Sequence, residues 1–525
     1  MQQKQLLQNS PHRKLKLLII VGTRPEIIRL AAVINKCRKY FDTLLAHTGQ
    51  NYDYNLNGVF FKDLKLADPE VYMDAVGDDL GATIGNIINC SYKLMAQIKP
   101  DAVLLFSTDR ELYPIVETVF EGLDTKRCIS PINAVGAKNI AITGSGTIDG
   151  NGDSWRQVKK SKIAPSQWKA LLKSGGFTNE KGDIWYPDST SFRGAVVSDA
   201  FNVPQGLTTE AEWESVKTYL RPVMISFKDC ENVLLEDCLF QNSPCWNIHP
   251  LMCKNVIINN VTVRNPWYSQ NGDGLDVDSC ENVLVINSSF DVGDDAICIK
   301  SGKNEDGRRR ARPCRNLIVD NCIVFHGHGG FVVGSEMSGG VNNIKVSNCR
   351  FLGTDVGLRF KSCRGRGGVV EDIYIEDIVM MNIPTEPLLF DLHYGGKSAV
   401  EAAAEGASPF DVEYVPADET TPQFKDIFIK DVVCSGAARA MYFNGIPEKN
   451  IENIVVEDCE IVSEKGADLR YSNGVVLKNV KITQAVGAGY SVANCHNVVI
   501  DDCSDASGKE APEVFVHNSH NLRVE

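Results

Sequence analysis

The chain has 525 residues, with 54 Lys and Arg against 67 Asp and Glu, a net charge of −13. Such mild acidity argues against a general nucleic-acid or anionic-membrane binder, and 43% hydrophobic with 23% charged residues argue against a disordered chain. The length suits about two to four ordinary domains, or one small unit beside a long repetitive one.

At the start, Lys14-Leu-Lys-Leu-Leu-Ile-Ile-Val21 is interrupted by Arg24, Pro25 and Glu26. It is too short for a membrane helix or a secretory h-region, so no signal peptide is expected and Leu17–Val21 is predicted to be a buried strand. Glu26–Tyr40 carries apolar residues at helical spacing after a proline suited to a first turn. Thr43–Ala46 reads as a strand, Leu80–Ile98 as a helix and Ala102–Leu105 as a third strand. Strand and helix in alternation predict a parallel sheet, here a partial α/β fragment ending near residue 104.

From residue 132 the pattern changes to short β-runs, each opened by an Asn or Asp. Glu231-Asn-Val-Leu-Leu235, Lys254-Asn-Val-Ile-Ile258, Glu281-Asn-Val-Leu-Val285 and Arg315-Asn-Leu-Ile-Val319 show it. Positions 232, 255, 282, 316, 343 and 372 lie 23 to 34 residues apart. A repeat of that length without helices favours a parallel β-helix over a leucine-rich repeat, whose leucine consensus and helical half are missing. Stacked coils would bring matching polar residues into ladders. Ala399–Ala404 suggests a short helical insertion. Of the 17 cysteines, none forms a CxxC pair, and five recur in one setting: Cys238, Cys322, Cys349, Cys459 and Cys503. Small buried filler explains a residue type recurring at one repeat position better than a disulfide framework or zinc site does.

Gly22-Thr-Arg-Pro-Glu26, Arg29 and His47-Thr-Gly-Gln-Asn-Tyr-Asp-Tyr-Asn55 resemble the start of non-hydrolysing UDP-N-acetylglucosamine 2-epimerases, over about residues 14–105. The resemblance implies that Arg24 and Arg29 lie near nucleotide-sugar phosphates. The family's later catalytic residues and second domain have no counterpart, since Leu104-Leu-Phe106 runs straight into Ser107-Thr-Asp-Arg110. No epimerase activity is expected of residues 1–104.

Four later motifs resemble bacterial polygalacturonases of glycoside hydrolase family 28, over about residues 102–525. They are Asn271-Gly-Asp-Gly-Leu-Asp276, with Gly272 where the family has Thr; Gly293-Asp-Asp295, leading to Lys300-Ser-Gly302; Gly327-His-Gly329, leading to Gly334-Ser-Glu336; and Arg359-Phe-Lys361. The resemblance implies an all-β fold, a right-handed parallel β-helix (a pectin-lyase-like solenoid) over 105–525, preceded by the partial Rossmann-like α/β fragment of 1–104. It implies hydrolysis of α-1,4-galacturonosidic bonds with inversion. Asp294 would be the general acid, Asp273 and Asp295 would activate water, and His328 would tune the acid. Asn271, Arg359, Lys361 and, more loosely, Tyr394 would bind the uronate. It implies no cofactor or metal, a pectic polysaccharide or oligogalacturonide substrate, no nucleic-acid or membrane partner, and export to the periplasm or beyond. Exo action is the lean.

The residue pattern agrees. Asp273 and Asp294 lie 21 residues apart, about one coil, and Arg359 and Lys361 alternate on a strand and so share a face. Three clustered carboxylates cannot all ionise freely, so at least one pKa should rise. An inverting pair needs carboxyls about 6.5–9.5 Å apart, leaving room for water. Taken singly, an Asp-Asp pair is usually a turn and Arg308-Arg-Arg310 with Arg312 a solvated basic loop, one that could also attract a polyanion. The joint order of the four motifs carries the catalytic reading. The alternatives are a Ca²⁺-dependent pectate lyase and a non-catalytic carbohydrate-binding β-helix.

Overall fold

The computed structural model describes residues 16–22, 24–49, 58–98, 103–198, 202–395 and 412–525. The helix expected at 399–404, residues 50–55 of the second epimerase-like motif and the side chains of Arg24 and Arg29 lie outside that description. Contacts divide the chain into two compact units, Met1–Leu104 with Gly144–Thr147, and Leu105–Thr143 with Ile148–Glu525.

In the first unit, Lys16–Val21, Asp42–His47 and Val71–Tyr72 form a three-stranded parallel sheet. Helix Arg24–Tyr40 links the first two strands, and Leu80–Ile98 is helical as its spacing predicts. Val21, Ile27, Ile34, Leu45 and Phe61 make its core. The third strand of this sheet is Val71–Tyr72; Val103–Leu105 is a strand but lies outside the sheet, which corrects the expectation placed on it.

The second unit is a parallel β-helix. Each coil contributes strands to separate faces, and each strand pairs in parallel with its counterpart one coil on. On one face Val233 aligns with Val256, Val283, Leu317, Ile344, Ile373, Ile427 and Ile454 in unbroken register. All are buried, and the same holds two residues on, from Leu235 through Ile258 and Val285 to Val319. Strand periodicity of two turns these residues inward, and each Val, Leu or Ile fully buried stabilises by about 1.5–3 kcal/mol.

The residue that opens each run makes the stack register-specific. Asn139, Asn232, Asn255, Asn282, Asn316 and Asn343 all adopt left-handed backbone conformations (φ 54° to 59°), which Asn tolerates better than most residues. The Nδ2 of each donates to Oδ1 of the preceding one, in five bonds of 2.8–3.0 Å. The turn thus satisfies its side chain by bonding one coil to the next. The recurrent cysteines are buried and none of them is in a disulfide. Cys322, Cys349, Cys459 and Cys503 each donate S–H to the carbonyl two residues back at 3.1–3.5 Å: a small apolar group that also satisfies a bend.

One feature escaped the repeat pattern. Ile132–Val135 and Lys138–Thr143 pair directly with Ile225–Lys228 and Glu231–Glu236, so residues 150–222 are an insertion between successive coils. It folds as helices Pro165–Lys173, Ser189–Val197 and Glu210–Glu214 beside a small antiparallel sheet of Val158–Lys159, Ile184–Tyr186 and Phe177–Thr178.

Asn282→Ala should cost about 1–3 kcal/mol, through lost ladder bonds and a Cβ without local bonding at positive φ. Asn282→Gly should recover the backbone part only. Urea unfolding of both variants checks this, and unchanged midpoints would refute the ladder's role.

Candidate active site

Strands Leu275–Asp278, Asp295–Lys300, Gly329–Gly334, Val356–Lys361 and Leu388–Asp391 are successive neighbours on one face. Register sets Asp295 beside Gly329, and Cys298 beside Val332, which aligns with Arg359. The loops leading into these strands carry Asn271, Asp273, Asp294 and His328. All eight residues singled out in the sequence line one of two adjoining cavities. One, of about 500 Å³, holds Asn271, Asp273, Asp294, Asp295, Lys361 and Tyr394. The other, of about 180 Å³, holds Asn271, Asp294, His328, Arg359, Lys361 and Tyr394.

Local backbone chemistry shapes the loops. Asn271 is left-handed (φ 52°); its Oδ1 accepts from Arg221 Nη2 at 2.9 Å and its N–H donates to Asp294 Oδ2 at 3.2 Å. A Cβ on Gly272 would collide with Ser269 Oγ, which donates to the Pro266 carbonyl at 2.6 Å. Ser269 therefore occupies the space in which a side chain at position 272 would begin. Gly327 has φ 156°, and a Cβ there would press on the Asp294 carbonyl at 2.8 Å; that same carbonyl accepts the His328 N–H at 2.8 Å.

One oxygen of each of Asp273, Asp294 and Asp295 lies within 4.8 Å of the others. That is closer than the expected separation of about 6.5–9.5 Å, so spacing alone does not select inversion here. The three carboxylates differ sharply in surroundings. Asp295 is buried, with Oδ1 3.2 Å from Arg359 Nη1 and Oδ2 2.7 Å from Lys361 Nζ. Burial would raise its pKa, but the two cations prevail and lower it. Asp294 Oδ1 is 3.0 Å from His328 Nδ1 and accepts the Asp295 N–H at 3.0 Å. Burial again opposes ionisation, yet protonated His328, then Lys361 and Arg359, hold Asp294 below the usual carboxylate range. Asp273 is buried with Oδ1 unpartnered. Burial first, then the charges of Asp276 and Asp294, push it well above that range.

The expected raised carboxyl therefore exists, but it is Asp273. Asp294, expected to be the acid, is instead held below the carboxylate range, because His328, Lys361 and Arg359 together outweigh its burial. His328 is raised by Asp294; its Nε2 faces Lys162 Nζ at 3.5 Å and Asp355 Oδ2 at 3.8 Å. The Tyr394 ring lies 4.9 Å from Lys361 Nζ and 5.8 Å from the Arg359 guanidinium carbon.

Several contributors went unassigned in the sequence. Asp276 is fully buried and pushed well above the carboxylate range by burial. Lys300 Nζ stands 3.5 Å from it and 2.9 Å from Glu336. These three sit inside the quoted motifs, so the signal was present. Lys159 and Lys162 come from the insertion and had none. The Arg308–Arg312 cluster is engaged structurally: Arg308 donates to the Gly365 carbonyl at 2.9 Å, and Arg310 and Arg312 pair with Asp124 and Asp229 at 2.9 and 3.1 Å.

Residues 210–468 match the sequence profile of glycosyl hydrolases family 28. The chain is 25% identical over 436 residues to a probable polygalacturonase of Vitis vinifera, covering 81% of this chain and 75% of that one. It is 26% identical over 365 residues to the exo-poly-α-D-galacturonosidase of Dickeya chrysanthemi, covering 67% and 55% respectively. Among solved structures it superposes on the hyperthermoactive exopolygalacturonase of Thermotoga maritima with TM-score 0.56 and 29% identity, over 73% of this chain and 78% of that one. The family 28 exopolygalacturonase of Yersinia enterocolitica, at TM-score 0.53 and 20% identity over 80% and 67%, shares the fold. Residues 35–112 match the profile of UDP-N-acetylglucosamine 2-epimerase.

The His328–Asp294 pair fixes a pH window. His328, raised above 6.5, contributes stability that is complete below its unfolded pKa and is lost as pH rises through the raised value. Asp294, lowered from 3.8, contributes stability present above that value and lost as pH falls through its lowered pKa. His328→Gln should therefore shrink the alkaline loss of stability, while the part due to raised Asp273 persists. Urea midpoints from about pH 4 to about pH 9 measure this; an unchanged alkaline limb would contradict the pairing.

Proposed function

We propose that residues 105–525 form a polygalacturonase domain that hydrolyses α-1,4-galacturonosidic bonds from a chain end, and that residues 1–104 are a partial Rossmann-like fragment without activity of its own. The observation that carries the reading is one cleft uniting three carboxylates in unlike states with a paired Arg359 and Lys361. A uronate carboxylate is matched by a planar guanidinium and an adjacent ammonium, with Asn271 and Tyr394 completing the binding wall.

The two cavities assign sides. All three Asp line the larger, while of the three only Asp294 lines the smaller. The leaving sugar then sits in the smaller cavity, against the acid alone, and the glycosyl unit that water attacks sits in the larger, where all three Asp lie. An incoming uronate neutralises Arg359 and Lys361, removing part of the field that keeps Asp294 ionised. The proton on His328 Nδ1 then transfers to Asp294 Oδ1, 3.0 Å from that nitrogen. Asp294 delivers it to the glycosidic oxygen as that bond breaks, water adds to the anomeric carbon, and ionised Asp295 takes the proton of the water, which the Asp273 carboxyl helps to position. A covalent route is disfavoured because Asp295 is bound by two cations and Asp273 holds a proton, which leaves water as the nucleophile. Glu121 and Asn202 (bonded at 2.8 Å) and Arg364 and Arg366 add further walls to the larger cavity, which favours a chain end over a chain interior.

The acidic cluster also suits a cation, so a Ca²⁺-dependent lyase is the second reading. It is weakened because both Asp295 oxygens are already bonded to Arg359 and Lys361. Family members act outside the cell, and no helix among the described residues is long and apolar enough to cross a membrane; periplasmic or extracellular action on pectic chains fits both facts.

Proton NMR of the first product should show the β-anomer and no new double bond, with or without chelator. Initial α-anomer would exclude the mechanism, and an unsaturated product would favour the lyase. Asp294→Asn should lower kcat and kcat/KM together by about 10²–10⁴-fold, whereas Lys361→Ala should mainly raise KM. Near-normal turnover in Asp294→Asn would overturn the acid assignment. UDP-N-acetylglucosamine should remain unchanged on incubation with the protein.

A further inference from the structure

A second groove, of about 450 Å³, lies among the insertion and the coil loop at Tyr268. Val158, Ile163, Leu171, Trp185 and Tyr268 wall it. Tyr268 also lines the small cavity around His328, so the groove continues the cleft on the leaving side. Its chemistry differs from that of the cavity it extends. Lys159, Lys162, Arg359 and Lys361 line the small cavity. The groove has Asp153 and Arg156 as its charged residues, and these are bonded to each other. Arg156 also donates to the Ser243 carbonyl and Asn242 Oδ1, each at 2.6 Å. Tyr268 OH donates to Asp153 at 3.5 Å, and the Trp185 indole N–H is spent on the Gly175 carbonyl at 2.8 Å. Trp267, half exposed, stands edge-on to Tyr268 at 6.1 Å.

We propose that this groove binds the second leaving-side unit of the substrate, and that it selects that unit as a neutral methyl ester rather than a free uronate. The inference rests on the galacturonan reading above. On that reading the occupant of a groove continuous with the cleft is the next ring of the same chain. An unpaired carboxylate moved from water to an apolar wall loses hydration without gaining a partner, while an ester methyl and the C–H face of a pyranose gain by contact with Trp185 and Tyr268. The first leaving unit meets four cations and is taken as the free acid. Specificity therefore alternates along the chain: charged at the cut, neutral one ring beyond. Most of the groove belongs to the insertion, ahead of the residues that match the family profile.

Two trigalacturonates test this, one fully de-esterified and one carrying a methyl ester on its reducing-end ring alone. The native protein should cut the first bond of the ester with kcat/KM about tenfold or more above the free acid, equivalent to about 1.4 kcal/mol. Leu171→Lys, which places a cation in the groove, should lower that ratio to one or below. A native ratio of one or less, with both trimers hydrolysed, overturns the groove assignment and leaves the hydrolase reading standing. Failure to cut either trimer overturns the hydrolase reading, and this inference with it. If the groove is covered by a second copy instead, light scattering will show a dimer that Leu171→Lys dissociates, with the substrate ratio unmoved; that too overturns the proposal.

Discussion

Everything in the hydrolase unit depends on parallel coils stacking in fixed register. The Asn ladder and the aligned Val, Leu and Ile rows hold each coil directly over the last, so residues one coil apart in sequence become neighbours in space. Asp273 and Asp294, 21 residues apart, reach one another this way, and Asp295 reaches Arg359 and Lys361 across two further strands. A slip of one residue would turn every inward side chain outward. It would also separate the carboxylates from their cations, so the forces that make the core also assemble the site.

The site concentrates charge that the fold must offset. Asp273, Asp276, Asp295, Lys300 and Lys361 are all buried on one wall. Removing such groups from water is costly unless each finds a partner, and here the partners are shared unevenly. Asp295 has two cations, Asp294 has His328, and Asp276 has Lys300 at 3.5 Å while its oxygens lack hydrogen bonds. Uneven sharing is what separates the proton affinities of three adjacent carboxyls, and that separation lets an acid and a base coexist. The oxygens of Asp273 and Asp276 that lack hydrogen bonds are where this wall costs stability.

Much of this was legible in the sequence because its signals are local and repeated. An Asn that must adopt positive φ recurs at the coil period, so both the turn and the stack can be read from one letter. The strand pattern and the recurrent Cys follow from the same period. The insertion at 150–222 carries no repeat, and nothing in Lys162 announces that it faces His328. Asp276, Lys300 and Glu336 stood within recognised motifs, yet their roles depend on mutual distances that spacing alone does not fix. Which carboxyl is raised could not be read for the same reason. Three carboxylates predict that one pKa rises, but which one depends on whether His328 or Asp276 is the nearer neighbour. Gly272 was legible only as a departure; Ser269, three residues earlier, supplies the reason.

The central claim is that, without substrate, Asp273 is held above the ordinary carboxylate range and Asp294 below it beside His328, until a uronate engages Arg359 and Lys361. Carbon-13 NMR titration of labelled aspartate carboxyls, assigned with Asp273→Asn and Asp294→Asn, tests it directly in the free protein and with a bound galacturonate. The account predicts that Asp273 titrates above the ordinary carboxylate range and Asp294 below it in the free protein, with Asp294 moving upward when galacturonate binds. A free-protein Asp294 that titrates above Asp273, or one that galacturonate leaves unmoved, would contradict it.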